Sequence, residues 1–457
     1  MKANKKILIP ILLAIFTISV SFSIDTASAV VQPTIFVDPN GNDAWSGESA
    51  VWDGTDGPKK TIKNAIEAVD SDGIVKISNG TYKESNIIIN KNLKIQGESR
   101  GSTVIDAQYQ NRIFTILSGV KVDISNLKLT NGQTTNSGGA INSKGSLTIT
   151  NCDFTNNKAP AYYGGAIQNL QGSLIIKDTV FVSNVARVSG AIDSNRGTLI
   201  VENCYFKSNR ATNGQGGAMV NAQGSMDIKN TVFSYNSATN GFGGVFYNSK
   251  GSLGVSNCTF YYNTGPQGGA IYTEDSVGWV YLNNNVFVNN RATRGAALYH
   301  CHGTIVVTNN TFTGNIATIN GGAIYIDSTG QPTVSKSMIY FKKCSFTNNQ
   351  ATTRHGGAIY SGGAFEAKEC TFTGNSANYG AGGAICNAQG LFSVVSSTLS
   401  NNKATKGKGG ALYSNYGRIY VISNTFYRNT GACTSGYSGK GIYLWKTTAT
   451  FKSNRFI

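Results

Sequence analysis

A pair of short motifs recurs along most of the chain and constrains its fold more than any other feature. Gly-Gly-Ala-Ile and its variants occur about every 26 residues from Gly138 onward, and each is followed by an alternating apolar segment and then by Phe-x-x-Asn. The aromatic position is Phe in every repeat except one, where it is Leu399. A unit this short cannot bury a core by itself, so consecutive units must stack on one another.

The segment before each Phe alternates between apolar and variable residues. Leu147 and Ile149 in one repeat, and Leu174 and Ile176 in the next, are separated by a single residue that varies freely. This period of two predicts strands with one buried face, and the Gly and Asn residues mark the bends between them. Leu is too rare for leucine-rich repeats, and the Trp-Asp signature of propeller blades does not occur. We therefore predict an all-β, single-stranded parallel β-helix, with coils of about 26 residues over 118–457.

Stacked coils predict scaffold roles for two repeated side chains. Asn amides one strand spacing apart can hydrogen-bond to each other and to the turn backbone, and Phe rings can stack inside the cylinder. A third slot, two residues before the Phe, holds Cys in five repeats and Asn, Thr or Ser in the others, which predicts buried thiols. Those five are Cys152, Cys204, Cys258, Cys344 and Cys370. Whether Cys344 and Cys370, on successive repeats, form a disulfide is left open.

The N-terminal part of the chain differs from the repeats. Residues 1–29 combine a cationic start, an apolar run and Ala27-Ser28-Ala29, which is typical of a secretory signal peptide; an uncleaved anchor is the alternative. We assign residues 30–117 to an N-terminal cap and the first irregular coils. Lys60–Val69 places four apolar residues on one helical face, which predicts a short helix over the open end of the first coil. We see no comparable C-terminal cap and expect the last coil to favour self-association.

The formal charge of the chain is +16, from 39 Lys and Arg against 23 Asp and Glu. Such an excess favours anionic partners, for example acidic glycans. The longest runs of basic residues are pairs such as Lys59-Lys60, so we interpret the charge as diffuse and expect no nucleic-acid partner. We also expect no transmembrane span in the mature chain.

One outward slot stands out as a candidate ligand-binding feature. It follows the Ile of Gly-Gly-Ala-Ile and carries tyrosine on five successive repeats, namely Tyr247, Tyr272, Tyr299, Tyr325 and Tyr360. Because the preceding Ile faces the core, we expect these rings to face outward and to stack as a ladder. Such a ladder could bind sugars or partner proteins, or it could brace neighbouring coils.

Catalysis on this scaffold would require two or three carboxylates gathered in neighbouring outward slots. The acids after Gly138 are few and do not repeat on adjacent coils, except loosely Asp178 with Glu202. His300 and His302 could hold a metal, but they align with a turn that we expect to be solvent-exposed, and a satisfied or solvated pair is favoured. We predict no catalytic residues, no metal site and no cofactor, with a polysaccharide lyase or glycoside hydrolase as the alternative.

The paired Gly-Gly-Ala-Ile and Phe-x-x-Asn motifs resemble the repeats of the polymorphic outer membrane proteins of chlamydiae. From residue 34 to the end, including TIFVDPNGNDAWSGE and GPKKTIKNAIEAV, the chain resembles exported adhesin-like proteins of methanogenic archaea. Those proteins belong to the pectin-lyase-like right-handed β-helix superfamily. The resemblance implies a right-handed coil and a surface-exposed, non-catalytic, adhesin-like role.

Overall fold

The computed structural model describes residues 32–274, 278–327, 338–432 and 441–457. The predicted signal peptide, Cys433 and the degenerate last motif at Lys440 lie outside the described residues.

Three parallel β-sheets run along the described residues, and each coil adds strands to them in turn. The coils stack in register, so that Phe154 lies beside Phe181, and Phe181 beside Phe206. The chain is an all-β right-handed parallel solenoid of about 13 turns, and the predicted fold class is confirmed. Strands that pair with the next coil rather than with a hairpin partner explain why a core forms only when many repeats stack.

The strands fall into three sets. The first sheet contains Thr34–Val37, Gly73–Ile77, Ile87–Ile89, Leu93–Gly97, Phe114–Ile116, Lys121–Ser125, Ile141–Ser143, Ser146–Thr150, Ile167–Leu170, Ser173–Lys177, Ile192–Asn195, Thr198–Glu202, Met219–Ala222, Ser225–Lys229, Phe246–Ser249, Ser252–Ser256, Ile271–Glu274, Val280–Asn283, Leu298–His300, Thr304–Thr308, Ile324–Ile326, Met338–Lys342, Ile359–Ser361, Ala364–Lys368, Ile385–Asn387, Leu391–Val395, Leu412–Ile422 and Ile442–Lys452. The second sheet contains Gly80–Tyr82, Thr103–Asp106, Lys128–Thr130, Asp153–Thr155, Val180–Val182, Tyr205–Lys207, Val232–Ser234, Thr259–Tyr261, Val286–Val288, Thr311–Thr313, Ser345–Thr347, Thr371–Thr373, Thr398–Ser400, Thr425–Tyr427 and Arg455–Phe456. The third sheet contains Lys158–Tyr163, Val185–Val188, Arg210–Ala211, Ser237–Ala238, Thr264–Gln267, Arg291–Arg294, Ile316–Asn320, Gln350–Ala351, Ser376–Ala377, Lys403–Ala404 and Thr430–Gly431.

The repeated phenylalanines form the centre of the core. From Phe154 to Phe372 the ring centroids of neighbours on successive coils are 4.5 to 5.1 Å apart, and the rings are stacked. All of these rings are fully buried. Stacked aromatic pairs contribute roughly 0.5–1.5 kcal/mol each beyond the area that they bury. The predicted aromatic stack is therefore confirmed.

The repeated asparagines form a second continuous column. The Asn236 Nδ2 atom donates to the Phe206 carbonyl at 3.0 Å and to Asn263 Oδ1 at 3.1 Å, while Asn236 Oδ1 accepts from the backbone nitrogen of Asn209 at 3.0 Å. The same pattern repeats from Asn157 to Asn429. Each buried amide thus satisfies turn groups that the bend would leave unpaired. This confirms the scaffold role predicted for the asparagines.

The glycine pair has two separate backbone requirements. Gly216 adopts φ +66°, in the left-handed region that most side chains avoid. At the following Gly217, an added Cβ would lie 2.0 Å from the carbonyl oxygen of Gly244 on the next coil. The next coil would therefore have to shift to admit a side chain at Gly217, and in the described repeats from Gly138 onward this slot holds nothing larger than Ala296.

A single helix, Ile62–Ala68, lies in the N-terminal part of the described residues. Thr61 caps it by accepting a hydrogen bond from the Asn64 backbone nitrogen. Its buried residues, Ile62, Ala65 and Ile66, join the core beside the first strands. The predicted capping helix is confirmed, and it ends at Ala68, with Val69 as the C-cap.

The five slot cysteines are buried, as predicted. Cys344 and Cys370 lie on successive coils next to the paired residues Ser345 and Thr371, and both are free thiols.

Candidate functional site

The five predicted tyrosines occupy one column of the first sheet. Tyr247, Tyr272, Tyr299, Tyr325 and Tyr360 are paired in register on successive coils. Their ring centroids are 5.4, 5.0, 4.7 and 5.0 Å apart in that order, and neighbouring planes are within 20° of parallel. The stacking predicted from the sequence is confirmed. We call these five residues the tyrosine ladder.

Burial of the rings limits how the tyrosine ladder can meet a ligand. Tyr272 and Tyr299 are only 5% and 4% exposed, because each ring lies between two others, and Phe242 from a preceding turn also stacks on Tyr272 at 4.7 Å. Tyr247, Tyr325 and Tyr360 are partly exposed. The open ring faces expected from the sequence are therefore covered at the centre of the ladder. Ligand binding by these residues stays a prediction.

Three of the five ladder hydroxyls contact a second column, which lies two residues further along each repeat. Tyr247 Oη donates to Glu274, Tyr272 Oη lies 3.1 Å from Cys301 Sγ, and Tyr299 Oη donates to Asp327 Oδ2 at 2.6 Å. Each of these three tyrosines thus reaches the second-column residue of the next coil. This arrangement links neighbouring coils through side chains as well as through the backbone.

Burial raises the pKa of the ladder tyrosines above the usual range. For Tyr247 and Tyr299 the hydrogen bonds to Glu274 and Asp327 raise the pKa further, because a nearby carboxylate disfavours a phenolate. The hydroxyls therefore remain protonated donors at neutral pH.

Sequence reasoning missed this second column. Glu274, Cys301 and Asp327 each lie two residues after a ladder tyrosine, so alignment of the repeats would have placed them in one slot. Cys301 separates the two acids by one coil, which hid the relationship from a search for acids on adjacent coils. Asp275, the acid that follows Glu274 along the chain, lies outside the described residues.

Beyond both ends of the tyrosine ladder, the same slot of the repeat holds other types of residue. Cys386 follows Tyr360 in register, and Tyr413 follows Cys386. The small thiol leaves a gap, and the His355 ring packs beside both Tyr360 and Tyr413, with centroid distances of 6.4 and 6.5 Å. His355 is held there by a 3.0 Å hydrogen bond from the Ala381 backbone nitrogen to its Nδ1 atom.

At the other end the slot is polar and buried. Asn142, Gln168 and Asp193 follow one another in register, and Asn142 Nδ2 donates to Gln168 Oε1 at 2.9 Å. Ser189 Oγ lies 2.9 Å from Asp193 Oδ1. Burial raises the pKa of Asp193 to about 6, although the hydrogen bonds from Ser189 and Gln168 oppose the shift.

The environment of His300 differs from the sequence expectation. Its ring is fully buried, with Nδ1 2.9 Å from Thr273 Oγ1 and Nε2 3.1 Å from the Gly303 carbonyl oxygen. Burial lowers the pKa of His300 to about 4, so the ring is neutral. The expected solvent-exposed turn was wrong for this residue because its side chain points into the solenoid, while the expectation of a satisfied ring is confirmed.

Two features of the described residues bear on metal binding and on membrane insertion. No cluster of three or more His, Cys, Asp or Glu residues with metal-binding geometry occurs among them. None of the helices in the described part of the chain is long and apolar enough to span a bilayer.

Two family models match parts of the chain. A model described as a right handed beta helix region matches residues 183–339. A model of the Chlamydia polymorphic membrane protein repeat matches residues 151–170, 343–362, 369–388 and 396–415. No curated protein matches the chain significantly.

Solved structures with a similar coil are distant in sequence. The ORF18 protein of Geobacillus virus E2 is 14% identical over 78% of this chain and 62% of its own, with a TM-score of 0.34. The catalytic unit of the GH87 α-1,3-glucanase from Streptomyces thermodiastaticus is 12% identical over 86% of this chain and 64% of its own, with a TM-score of 0.36. The PL6 family alginate lyase AlyGC is 12% identical over 92% and 80%, with a TM-score of 0.29.

At these TM-scores the likenesses carry no argument about activity, and the chain spans less than two thirds of the first two structures. The fold and the family models agree with each other. Together they identify the fold as a right-handed parallel β-helix, in which four segments match the polymorphic membrane protein repeat.

Proposed function

We propose that this protein is an exported, adhesin-like cell-surface protein that binds glycans or partner surfaces without catalysis. Matches to polymorphic membrane protein repeats support a surface role, and the resemblance to adhesin-like proteins of methanogenic archaea suggests the finer assignment. The observation that carries the proposal is the register of the coils. Because equivalent residues superpose on successive coils, a slot in the repeat becomes a linear array of like side chains on the surface.

The tyrosine ladder contributes to this role in two ways. Its buried centre, Tyr272 and Tyr299, joins successive coils by ring stacking. Its partly exposed members, Tyr247, Tyr325 and Tyr360, present ring edges and hydroxyls that can contact sugars or a partner protein. We keep all five as the candidate ligand-binding residues.

A paired measurement tests the role of the ladder. The double variant Tyr272→Ala/Tyr299→Ala is compared with Tyr272→Phe/Tyr299→Phe in thermal melting and on a glycan array. The Phe variant keeps the stack and removes only the hydroxyls, so we expect it to retain most of its stability and the Ala variant to melt at lower temperature. Loss of glycan binding in the Phe variant at unchanged melting temperature would assign binding to the hydroxyls. A fall in stability alone would make the ladder purely structural.

Localisation is tested on intact cells of an expression host. Full-length protein and a variant without its first 29 residues are compared by surface labelling. We expect only the full-length protein at the surface or in the medium. Equal retention of both inside the cell would contradict export.

A polysaccharide lyase or glycoside hydrolase on the same scaffold is the second candidate. The observation that favours it is the pair Glu274 and Asp327, which share a column two coils apart, at roughly 10 Å for a strand spacing of about 4.8 Å. Inverting glycosidases hold their two carboxyl groups roughly 6.5–9.5 Å apart. Incubation with neutral and acidic polysaccharides decides between the two functions, because cleavage that is lost in Glu274→Gln would overturn the non-catalytic proposal.

A further inference from the structure

We propose that the outer face of the third sheet is a binding surface for a linear acidic polysaccharide with about one carboxylate per sugar. This inference rests on the proposed glycan-binding function and names its ligand class. It concerns a sheet different from the one that carries the tyrosine ladder, and Arg294 of this sheet lies 5.8 Å from the Tyr325 ring centre. The charge, the spacing and the lining of this face support it.

The third-sheet segments have one sign of charge. Each segment begins at the residue after a repeated Asn and ends at the residue before the next glycine pair. Between residues 158 and 408 these segments contain nine Lys or Arg residues but no Asp or Glu. Eight of them form what we call the basic strip: Lys158, Arg187, Arg210, Arg291, Arg294, Arg354, Lys403 and Lys406. Nine of the 39 basic residues of the chain thus lie in segments that contain no acid.

The register of the third sheet aligns these cations along the solenoid. Lys158, Arg210, Arg291 and Lys403 occupy the same position of the repeat, the first residue of the strand. Pairing runs from Lys158 through Val185 to Arg210, and further coils continue the column. Arg210, Arg291 and Lys403 are exposed. A straight row of accessible cations favours an extended polyanion over a compact ligand.

Among the described residues, no carboxylate forms an ion pair with a cation of the strip. The ion pairs between described residues join Arg100 with Asp153, Lys177 with Glu202, Lys229 with Asp227, and Lys343 with Glu369. All of these pairs lie outside the basic strip. Its positive potential is therefore available to a ligand.

The spacing of the cations distinguishes between polyanions. The strip spans ten coils, or nine steps of about 4.8 Å, which is roughly 43 Å, so the eight cations average about one per 5 Å. Double-stranded DNA carries about one negative charge per 1.7 Å of axis. A polymer with one carboxylate per sugar matches the density of the strip more closely. We therefore assign a polyuronate-type glycan rather than nucleic acid.

The surface between Arg210 and Arg291 has the lining that a sugar chain requires. A shallow depression there is lined mainly by small residues with hydroxyl groups, including Ser237, Thr239 and Thr264, and Arg291 forms one wall. Arg210 lies three coils from Arg291, or roughly 14 Å away. Guanidinium groups at both ends can bind carboxylates while the hydroxyls bind the sugar hydroxyls between them.

Exposed tyrosines at the two ends of the strip add a further sugar-binding feature. Tyr163 and Tyr379 are 37% and 61% exposed. The Arg187 guanidinium lies 5.5 Å from the Tyr163 ring centre, and Lys406 Nζ lies 4.3 Å from that of Tyr379. Each tyrosine thus places an aromatic surface next to a cation, a combination suited to the apolar face and the carboxylate of a uronic acid.

Charge-matched variants of the full chain test the proposal. Arg210→Gln/Arg291→Gln removes two charges of the strip, and Lys121→Gln/Lys207→Gln removes two exposed charges from the other sheets. Binding to polygalacturonate, to a neutral dextran, to double-stranded DNA and to vesicles of anionic lipid is measured at about 0.15 M salt, where charges more than about 8 Å apart are largely screened. Thermal melting confirms that both variants fold.

We expect the wild-type protein to bind polygalacturonate more tightly than the other three probes. The strip variant should lose at least tenfold in affinity, while the control variant stays within twofold. Equal losses in both variants, or no loss in either, would overturn the strip as the site and leave the proposed function standing. Tighter binding to DNA or vesicles would overturn the ligand class. If the wild-type protein binds none of these probes and no glycan on the array, the proposed function is overturned as well.

Discussion

Removing one amide from the middle of the asparagine column tests the main source of order in this fold. In Asn236→Ala the backbone nitrogen of Asn209 loses its acceptor, and the Phe206 carbonyl loses a donor. Both groups are buried, and an unsatisfied buried group costs about 1–3 kcal/mol. The two together predict a loss of about 2–6 kcal/mol in local stability. Asn213→Ala, one coil earlier, is the control, because Asn213 is exposed and lies outside the column.

Native-state hydrogen exchange measures this effect better than a single unfolding midpoint, because a long repeat array need not unfold in two states. A loss of 2 kcal/mol would speed exchange of the Asn209 amide by about 30-fold. Peptides from coils distant from residue 236 should exchange as in the wild type, since each coil contacts only its neighbours. If the Asn209 amide exchanges at the same rate in Asn236→Ala as in Asn213→Ala, the column amides are not the groups that satisfy the turns.

Three other substitutions follow from the geometry. Asp193 has a pKa of about 6 against an ordinary 3.8, so the folded state binds the proton of this carboxyl group more tightly than the unfolded state does. The protein should therefore lose up to about 3 kcal/mol of stability as the pH rises from about 4 to 6. Denaturation measured at a series of pH values should show this loss in the wild type and not in Asp193→Asn. Gly217→Ala should lower the melting temperature, because its Cβ would lie 2.0 Å from the Gly244 carbonyl oxygen and the next coil must shift to admit it; a wild-type melting curve would contradict the packing of the turn. Tyr299→Phe should cost about 1–2 kcal/mol in urea denaturation through loss of the hydrogen bond to Asp327, and an unchanged midpoint would show that this bond does not stabilise the fold.

The repeats made much of the fold predictable. A motif pair with a fixed period leaves few architectures, and alternation before each Phe identifies the buried face of the strand. The positions of the phenylalanine and asparagine columns and of the capping helix followed from those patterns, and the structure confirms them. The environment of His300 did not follow, because a His-x-His pattern on a strand does not say which way the strand faces.

Sequence by itself determined the periodicity, the residues that superpose and the existence of a tyrosine ladder, because the repeat places equivalent side chains one coil apart. Only the tertiary structure decided how deeply the ladder is buried, that the Tyr247 and Tyr299 hydroxyls reach Glu274 and Asp327, and which cations lie along the third sheet. Those features depend on where each coil turns and on which sheet a segment joins. Such contacts lie about 26 residues apart along the chain but about 4.8 Å apart in space, and local sequence patterns do not encode that distance.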